Sequence, residues 1–264
     1  MSNPVPAVDE VQDLNFQTAS AFQFSAADPN QLTGASSKFT LATIVVDISG
    51  SVSPYSTTIE QLVSEIVRAC QKDPAADSLM LRVLKFNHSV EEVHGFKLLG
   101  SVNPGDYKGK FYCGGSTALY DAMANSVEAA VAYGQQLMSS AYIANAVTFV
   151  ITDGEENAST TATTPSVVAK ANEAAVKGEA LESSQIILLG LTDDPAFGTY
   201  LTRVEKECKC DKSMVIGSFS VGGPSVNAGK IAKLVGFVSH SVSSTAQACG
   251  TGGPSKTIPA ALTI

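Results

Sequence analysis

The run Thr40-Leu-Ala-Thr-Ile-Val-Val-Asp47 is apolar and β-branched throughout and too short for a typical globular helix. It reads as a strand buried on both faces, which points to a layered α/β architecture with helices on either side of a parallel sheet. At its carboxyl end an acid and two hydroxyls follow on alternate residues, Asp47, Ser49 and Ser51, with Gly50 in the turn. Open α/β sheets bind ligands in the crevice outside strand carboxyl ends. One carboxylate and two hydroxyls form a partial shell of hard oxygen donors, suited to Mg²⁺, which takes few protein ligands and keeps several waters. The plainer reading of the same residues is a turn capped by its serines.

The pattern continues along the chain. Ser53-Pro54 opens an amphipathic helix in which Ile59, Leu62, Val63, Ile66, Val67 and Cys70 recur at three and four residues. Leu79 to Phe86 and Val90 to Leu99 read as strands. Only Asn87-His88-Ser89 separates them, too little for a parallel crossover, so they form an antiparallel hairpin. A helix running to about Tyr133, a strand from Val147 to Thr152, a helix over residues 165–182 and a strand from Gln185 to Leu191 follow. A helix opened by Asp193-Asp194-Pro195, a strand from Met214 to Phe219 and a helix from Ser225 to about Val238 complete the order. Residues 38–238 are thus one α/β domain. Residues 1–37, polar and holding Pro4, Pro6 and Pro29, read as an extended arm anchored by Phe16, Phe22 and Phe24, and residues 239–264 as a tail.

Two later stretches add donors to the first. Gly114-Gly115-Ser116-Thr117 leads into the apolar-periodic segment Ala118, Leu119, Ala122, Met123, Val127, and Val147 to Thr152 ends in Asp153-Gly154. Asp-x-Ser-x-Ser, Gly-Gly-Ser-Thr and Thr-Asp-Gly, in this order, resemble the metal-ion-dependent adhesion site of von Willebrand factor A (vWA) domains. The resemblance implies a doubly wound, Rossmann-like α/β fold. Its mostly parallel six-stranded sheet would run in the order 3-2-1-4-5-6, with the third strand antiparallel at the edge. It also implies that Asp47, Ser49, Ser51, Thr117 and Asp153 hold Mg²⁺, with Mn²⁺ or Ca²⁺ as alternatives. The serines would ligate directly, the aspartates partly through waters and Thr117 directly or through a water. The open coordination position would take a Glu or Asp carboxylate from a protein partner, with Gly115, Ser116 and Glu155 as partner contacts. Glu155 and Glu156 are otherwise expected to be solvated loop acids, and His88 and His94 ordinary hairpin residues away from the site.

Composition narrows the function further. With 17 basic and 25 acidic residues the formal charge is −8, and no basic cluster is large enough to favour nucleic acid or an anionic membrane. No apolar run is long enough to span a bilayer, and the odd set Cys70, Cys113, Cys208, Cys210 and Cys249 is not a disulfide framework, so the expected compartment is the cytoplasm. An aspartyl phosphotransfer enzyme would need a second acid where Ser49 stands and a phosphate-binding lysine, so the chain reads as a non-enzyme. The expected function is a Mg²⁺-dependent protein-binding module. The alternatives are an assembly subunit of a cytoplasmic complex or virus particle, forming homo-oligomers through its terminal arms, and an extracellular adhesion protein. Gln71-Lys-Asp-Pro74 followed by Leu81-x-Val83-x-x-Phe86 is similar, more weakly, to bacterial vWA proteins of tellurium resistance and stress response.

Overall fold

The apolar runs assemble side by side into one sheet with helices on both faces. The computed structural model describes residues 11–18, 21–32, 36–159, 164–177, 180–192, 195–215 and 228–250. The strands are β1 (Asp13–Gln17), β2 (Gln23–Ala27), β3 (Lys38–Asp47), β4 (Leu79–Phe86), β5 (Val90–Leu98), β6 (Ile143–Thr152), β7 (Ser184–Gly190) and β8 (Lys212–Val215). The helices are α1 (Ser56–Gln71), α2 (Leu119–Ser139), α3 (Pro165–Lys177), α4 (Pro195–Cys208) and α5 (Ala228–Ala248).

The sheet order is β1-β2-β5-β4-β3-β6-β7-β8. From β4 to β8 every pairing is parallel, while β5 runs antiparallel to β4. The expected order of six strands is therefore present, in a Rossmann-like α/β arrangement. Two corrections apply to its edge. The sheet has eight strands rather than six, and β5 is not an edge strand, because β2 lies parallel to it with Ala26 in register with Phe96. The extra strands come from the segment expected to be an extended arm, which forms a β1–β2 hairpin. Phe16 and Phe24 stack with ring centres 5.4 Å apart, and Phe24 meets Phe96 edge-on at 6.5 Å. The Ser25 N–H and hydroxyl both donate to Glu92 Oε1, at 2.9 and 2.7 Å. Gly95 makes this approach possible, since a Cβ there would overlap the Ser25 carbonyl.

The two faces of the sheet carry separate cores. One packs the β3 residues Leu41 and Val45 with Met123, Val127 and Tyr133 of α2, Val168 of α3 and Leu201 of α4. The other packs Ile44 and Val46 with Ile59, Leu62 and Ile66 of α1 and Leu234 and Val238 of α5. Helix α5 continues ten residues past Val238, to Ala248, so the expected tail begins as helix. Its buried hydroxyls are satisfied from within: Ser241 donates to the Phe237 carbonyl and Thr245 to that of Ser241, each at 2.8 Å. Helix α3 ends at Lys177 rather than near 182, and β6 begins four residues before Val147. The expected strand segment 216–219, the helix start at 225–227 and both chain ends, 1–10 and 251–264, lie outside the described residues.

Candidate metal-binding site

The chain leaves β3 toward β4 on one side and returns as β6 on the other, so the carboxyl ends of β3 and β6 flank the point where strand order reverses. Their register places Val46 opposite Ile151 and brings Asp47 beside Thr152 and Asp153. Asp47 is fully buried. Its Oδ2 accepts the Thr152 hydroxyl at 2.5 Å and its Oδ1 accepts the Ser49 N–H at 2.7 Å. The Ser49 and Ser51 hydroxyls lie 3.1 Å apart, and Ser51 Oγ donates to Asp153 Oδ1 at 2.7 Å. These serines bond to each other and to an acid from another strand, which is more than a locally capped turn requires.

Thr117 joins them across the end of the sheet. A Cβ placed on Gly154 would lie 3.2 Å from Thr117 Oγ1, 3.4 Å from Ser51 Oγ and 3.7 Å from Asp47 Oδ2, so oxygens from two segments converge on a point beside a third. The Gly114–Thr117 turn is tied to the β3 turn by two backbone bonds, Gly114 N–H to the Ile48 carbonyl at 2.7 Å and Gly50 N–H to the Gly115 carbonyl at 2.9 Å. Gly115 has φ +85°, and the His88 ring fills the space beside it, with Nδ1 2.8 Å from where a Cβ would stand. The structure thus gathers Asp47, Ser49, Ser51, Thr117 and Asp153. Of the expected partner contacts, Gly115 and Glu155 are exposed and Ser116 is half-buried.

Several positioning residues were not apparent from the motifs. Asn157 Oδ1 accepts the Thr117 N–H at 2.8 Å, and the Asn157 N–H returns a bond to the Thr117 carbonyl at 3.0 Å. Glu156, expected to be a solvated acid, accepts the N–H groups of Tyr120, Ala158 and Ser159. It therefore caps the start of α2, where a carboxylate offsets the helix dipole, and fixes the approach of the 154–159 loop. His88, expected away from the site, borders it. Thr152 is the threonine of the Thr-Asp-Gly motif, but its role as the hydroxyl that holds Asp47 shows only in the structure. The sequence signal for Asn157 and Glu156 is their place just after Thr-Asp-Gly, whereas His88 carries none.

The electrostatics suit a cation. Burial pushes the Asp47 carboxyl up to about 6, against the lowering effect of bonds from Thr152 and Ser49, and burial also raises Asp153. Both hydrogen-bond partners of Asp47 are neutral. Among the described residues there is no cluster of three or more His, Cys, Asp or Glu that could hold a metal. The donor set consists instead of two carboxylates and three hydroxyls, all hard oxygens, which fits Mg²⁺ better than Zn²⁺ or another soft ion.

No family model and no curated protein matches the chain. Solved structures do match in fold. The PilB minor pilin from Streptococcus sanguinis aligns with a TM-score of 0.53 at 11% identity, over 80% of this chain and 62% of the pilin. Proximal thread matrix protein 1 from the mussel byssus gives 0.51 at 15% identity, over 79% and 47% of the two chains. The pilus adhesin SpaC from Lactobacillus rhamnosus GG gives 0.53 at 11% identity, over 78% and 30%. The chain thus spans less than two thirds of each of these proteins, and at such identities the likeness is one of fold alone.

Proposed function

We propose that this chain is a non-enzymatic, Mg²⁺-dependent protein-binding module. The observation that carries the reading is Asp47: a fully buried carboxylate with only neutral partners, facing hydroxyl oxygens from two other segments. A buried charge without a counter-ion is expensive, and a divalent cation held by Asp47, Ser49, Ser51, Thr117 and Asp153 would offset it. Such an ion supplies an electrophilic position that a partner's Glu or Asp can fill. Mn²⁺ or Ca²⁺ are the alternative ions. Ser51 and Gly115 are exposed, which leaves one side of the site accessible to a partner.

A catalytic role has less support. Burial and the neighbouring Asp47, Asp153 and Glu60 push the Cys113 thiol up to about 11, which keeps it protonated and poorly nucleophilic at neutral pH. The residues that carry the likeness to tellurium-resistance proteins have structural roles. The Gln71 amide holds the carbonyls of Leu99 and Val102, and Leu81, Val83 and Phe86 are core. All five cysteines are free thiols, which suits a cytoplasmic setting, and no described helix is long and apolar enough to cross a membrane. An assembly role through the arms has lost part of its basis, because β1 and β2 pair with their own sheet. Extracellular adhesion would use the same site and shares its fold with a minor pilin and a pilus adhesin.

The test is a Mg²⁺ titration of chelator-treated protein, followed by thermal melting, with Asp47→Ala alongside. Saturable stabilisation of wild type alone is expected. No rise in Tm for wild type at millimolar Mg²⁺ overturns the metal site, and a rise of equal size in both proteins removes Asp47 from it.

A further inference from the structure

The loop that delivers Gly114 and Thr117 has an inward and an outward side. Tyr107 and Phe111 are fully buried, and the Tyr107 hydroxyl is 2.8 Å from His94 Nε2 on β5. Between and after these anchors Lys108, Lys110 and Tyr112 face solvent. Backbone bonds hold the loop in place: the Lys110 N–H donates to the Tyr107 carbonyl at 3.2 Å, and the Gly109 N–H to Glu60 Oε1 on α1 at 2.8 Å. The outward residues are therefore presented on a fixed frame.

Tyr112 is 78% exposed, more than any other large hydrophobic side chain among the described residues. Its hydroxyl lies 3.6 Å from where a Cβ on Gly109 would stand, so the ring folds back along the loop toward the lysines. On its other side come Cys113, close enough to Asp47 and Asp153 to feel their charge, and Gly114, bonded to Ile48. Lys108 and Lys110 form no ion pair among the described residues. On a chain of net charge −8, two unpaired lysines and a bare aromatic ring thus sit on the loop that leads into the candidate metal site.

The geometry points to an acidic, extended segment of a protein partner as the occupant of this rim. One carboxylate sits at the metal, the backbone crosses Tyr112, and neighbouring carboxylates meet Lys108 and Lys110. This inference rests on the metal-dependent reading above and deepens it. Charge complementarity is the argument for the occupant: Lys108 and Lys110 attract carboxylates, with Asp106 just before them on the loop and Glu60 engaged by the Gly109 N–H, whereas the exposed Glu155 after β6 repels carboxylates, so the segment is directed to the Tyr112 side. Tyrosine suits the crossing point because it offers a large rigid contact face at low entropic cost.

The probes are two fluorescent Gly/Ser peptides, one carrying a single Glu and the other the same Glu with Asp on both sides. Their binding is read by anisotropy in Mg²⁺ and in chelator. Wild type is expected to bind both only in Mg²⁺ and the acidic peptide roughly tenfold more tightly, the scale of two exposed ion pairs. The double variant Lys108→Glu, Lys110→Glu is expected to lose that preference while still binding the single-Glu peptide in Mg²⁺, and Tyr112→Ser to weaken both peptides. All three positions are exposed, so the fold is not at stake. Equal Mg²⁺-dependent binding of the two peptides by wild type, or a preference that survives in the double variant, overturns the rim while leaving the metal reading intact. Absence of Mg²⁺-dependent binding of either peptide removes the metal reading and the rim with it.

Discussion

Arg82 and Asp47 are both fully buried charged residues, and the fold treats them differently. Arg82, on β4, has a counter-ion and further companions, with Nη2 its one buried nitrogen left without a hydrogen-bond partner among the described residues. Its Nε donates to Glu92 Oε2 at 2.7 Å, its Nη1 to Asn125 Oδ1 at 3.0 Å, and its guanidinium carbon lies 5.6 and 5.8 Å from the ring centres of Phe24 and Phe96. Asp47, at the end of β3, has a hydroxyl and an N–H and, among the described residues, no cation. The buried cation comes with its counter-ion from the same chain, whereas the buried anion does not. A charge neutralised from within holds the fold together, while a charge left for an outside ion marks a place where function is built.

If that contrast is right, the largest effect comes from removing the internal counter-ion. Glu92→Ala leaves Arg82 buried without its carboxylate and also releases Ser25, so it acts on the core and on the β1–β2 hairpin together. A loss of about 3–5 kcal/mol in urea unfolding is expected, the usual range for breaking a buried pair from one side. Mg²⁺ should not restore it, and amide exchange over residues 13–27 should quicken. A loss below about 1 kcal/mol would show that the pair matters no more than a surface one.

The next effect separates the two charges by pH. The Asp47 carboxyl sits at about 6 in the folded protein against an ordinary 3.8, so the folded state binds this proton more tightly than the unfolded chain. The associated stability is complete below the unfolded value and is lost as pH rises through the folded one, a change of up to about 3 kcal/mol. Metal-free protein is therefore expected to melt at a lower temperature at roughly pH 8 than at roughly pH 5. Asp47→Asn should flatten that dependence, and Mg²⁺ should restore the high-pH stability of wild type only. A slope that persists in Asp47→Asn assigns the titration to another group, with Asp153, also raised, the first to examine.

What could be read from the sequence follows the same division. Strands buried on both faces announce themselves as mainly apolar runs, β3 most plainly and β4 despite Arg82 within it, and the short gap at Asn87-His88-Ser89 identifies the β4–β5 hairpin. The β1–β2 hairpin does not, because β1 alternates between exposed and half-buried residues and its docking depends on Gly95 and Glu92, far away in sequence. The end of α5 was obscured by residues such as Ser241 and Thr245, which read as a polar tail until their hydroxyls find carbonyls one turn back. At the site, the five oxygen donors carry a motif and could be named in advance. Of the groups that orient them, Thr152 lies within the Thr-Asp-Gly motif but its role does not show there, while Asn157 and Glu156 carry no motif, since these roles exist only once the 152–159 segment lies against the start of α2.

The smallest expected effect sharpens the comparison most. Gly154 packs against Thr117 Oγ1, Ser51 Oγ and Asp47 Oδ2, and a methyl there would stand 3.2–3.7 Å from all three. That contact is tight enough at Thr117 to require a small shift, yet the methyl faces the donors rather than the core. Gly154→Ala is therefore expected to change stability by less than about 1 kcal/mol while lowering Mg²⁺ affinity roughly tenfold, the scale seen when a group supporting the ligands is disturbed. Mg²⁺ titration of Tm reads both quantities in one experiment. A large loss of stability with unchanged Mg²⁺ affinity would place Gly154 with Glu92 among the residues that hold the fold. The separation between a charge neutralised from within and one left for an outside ion would then no longer hold at the strand ends.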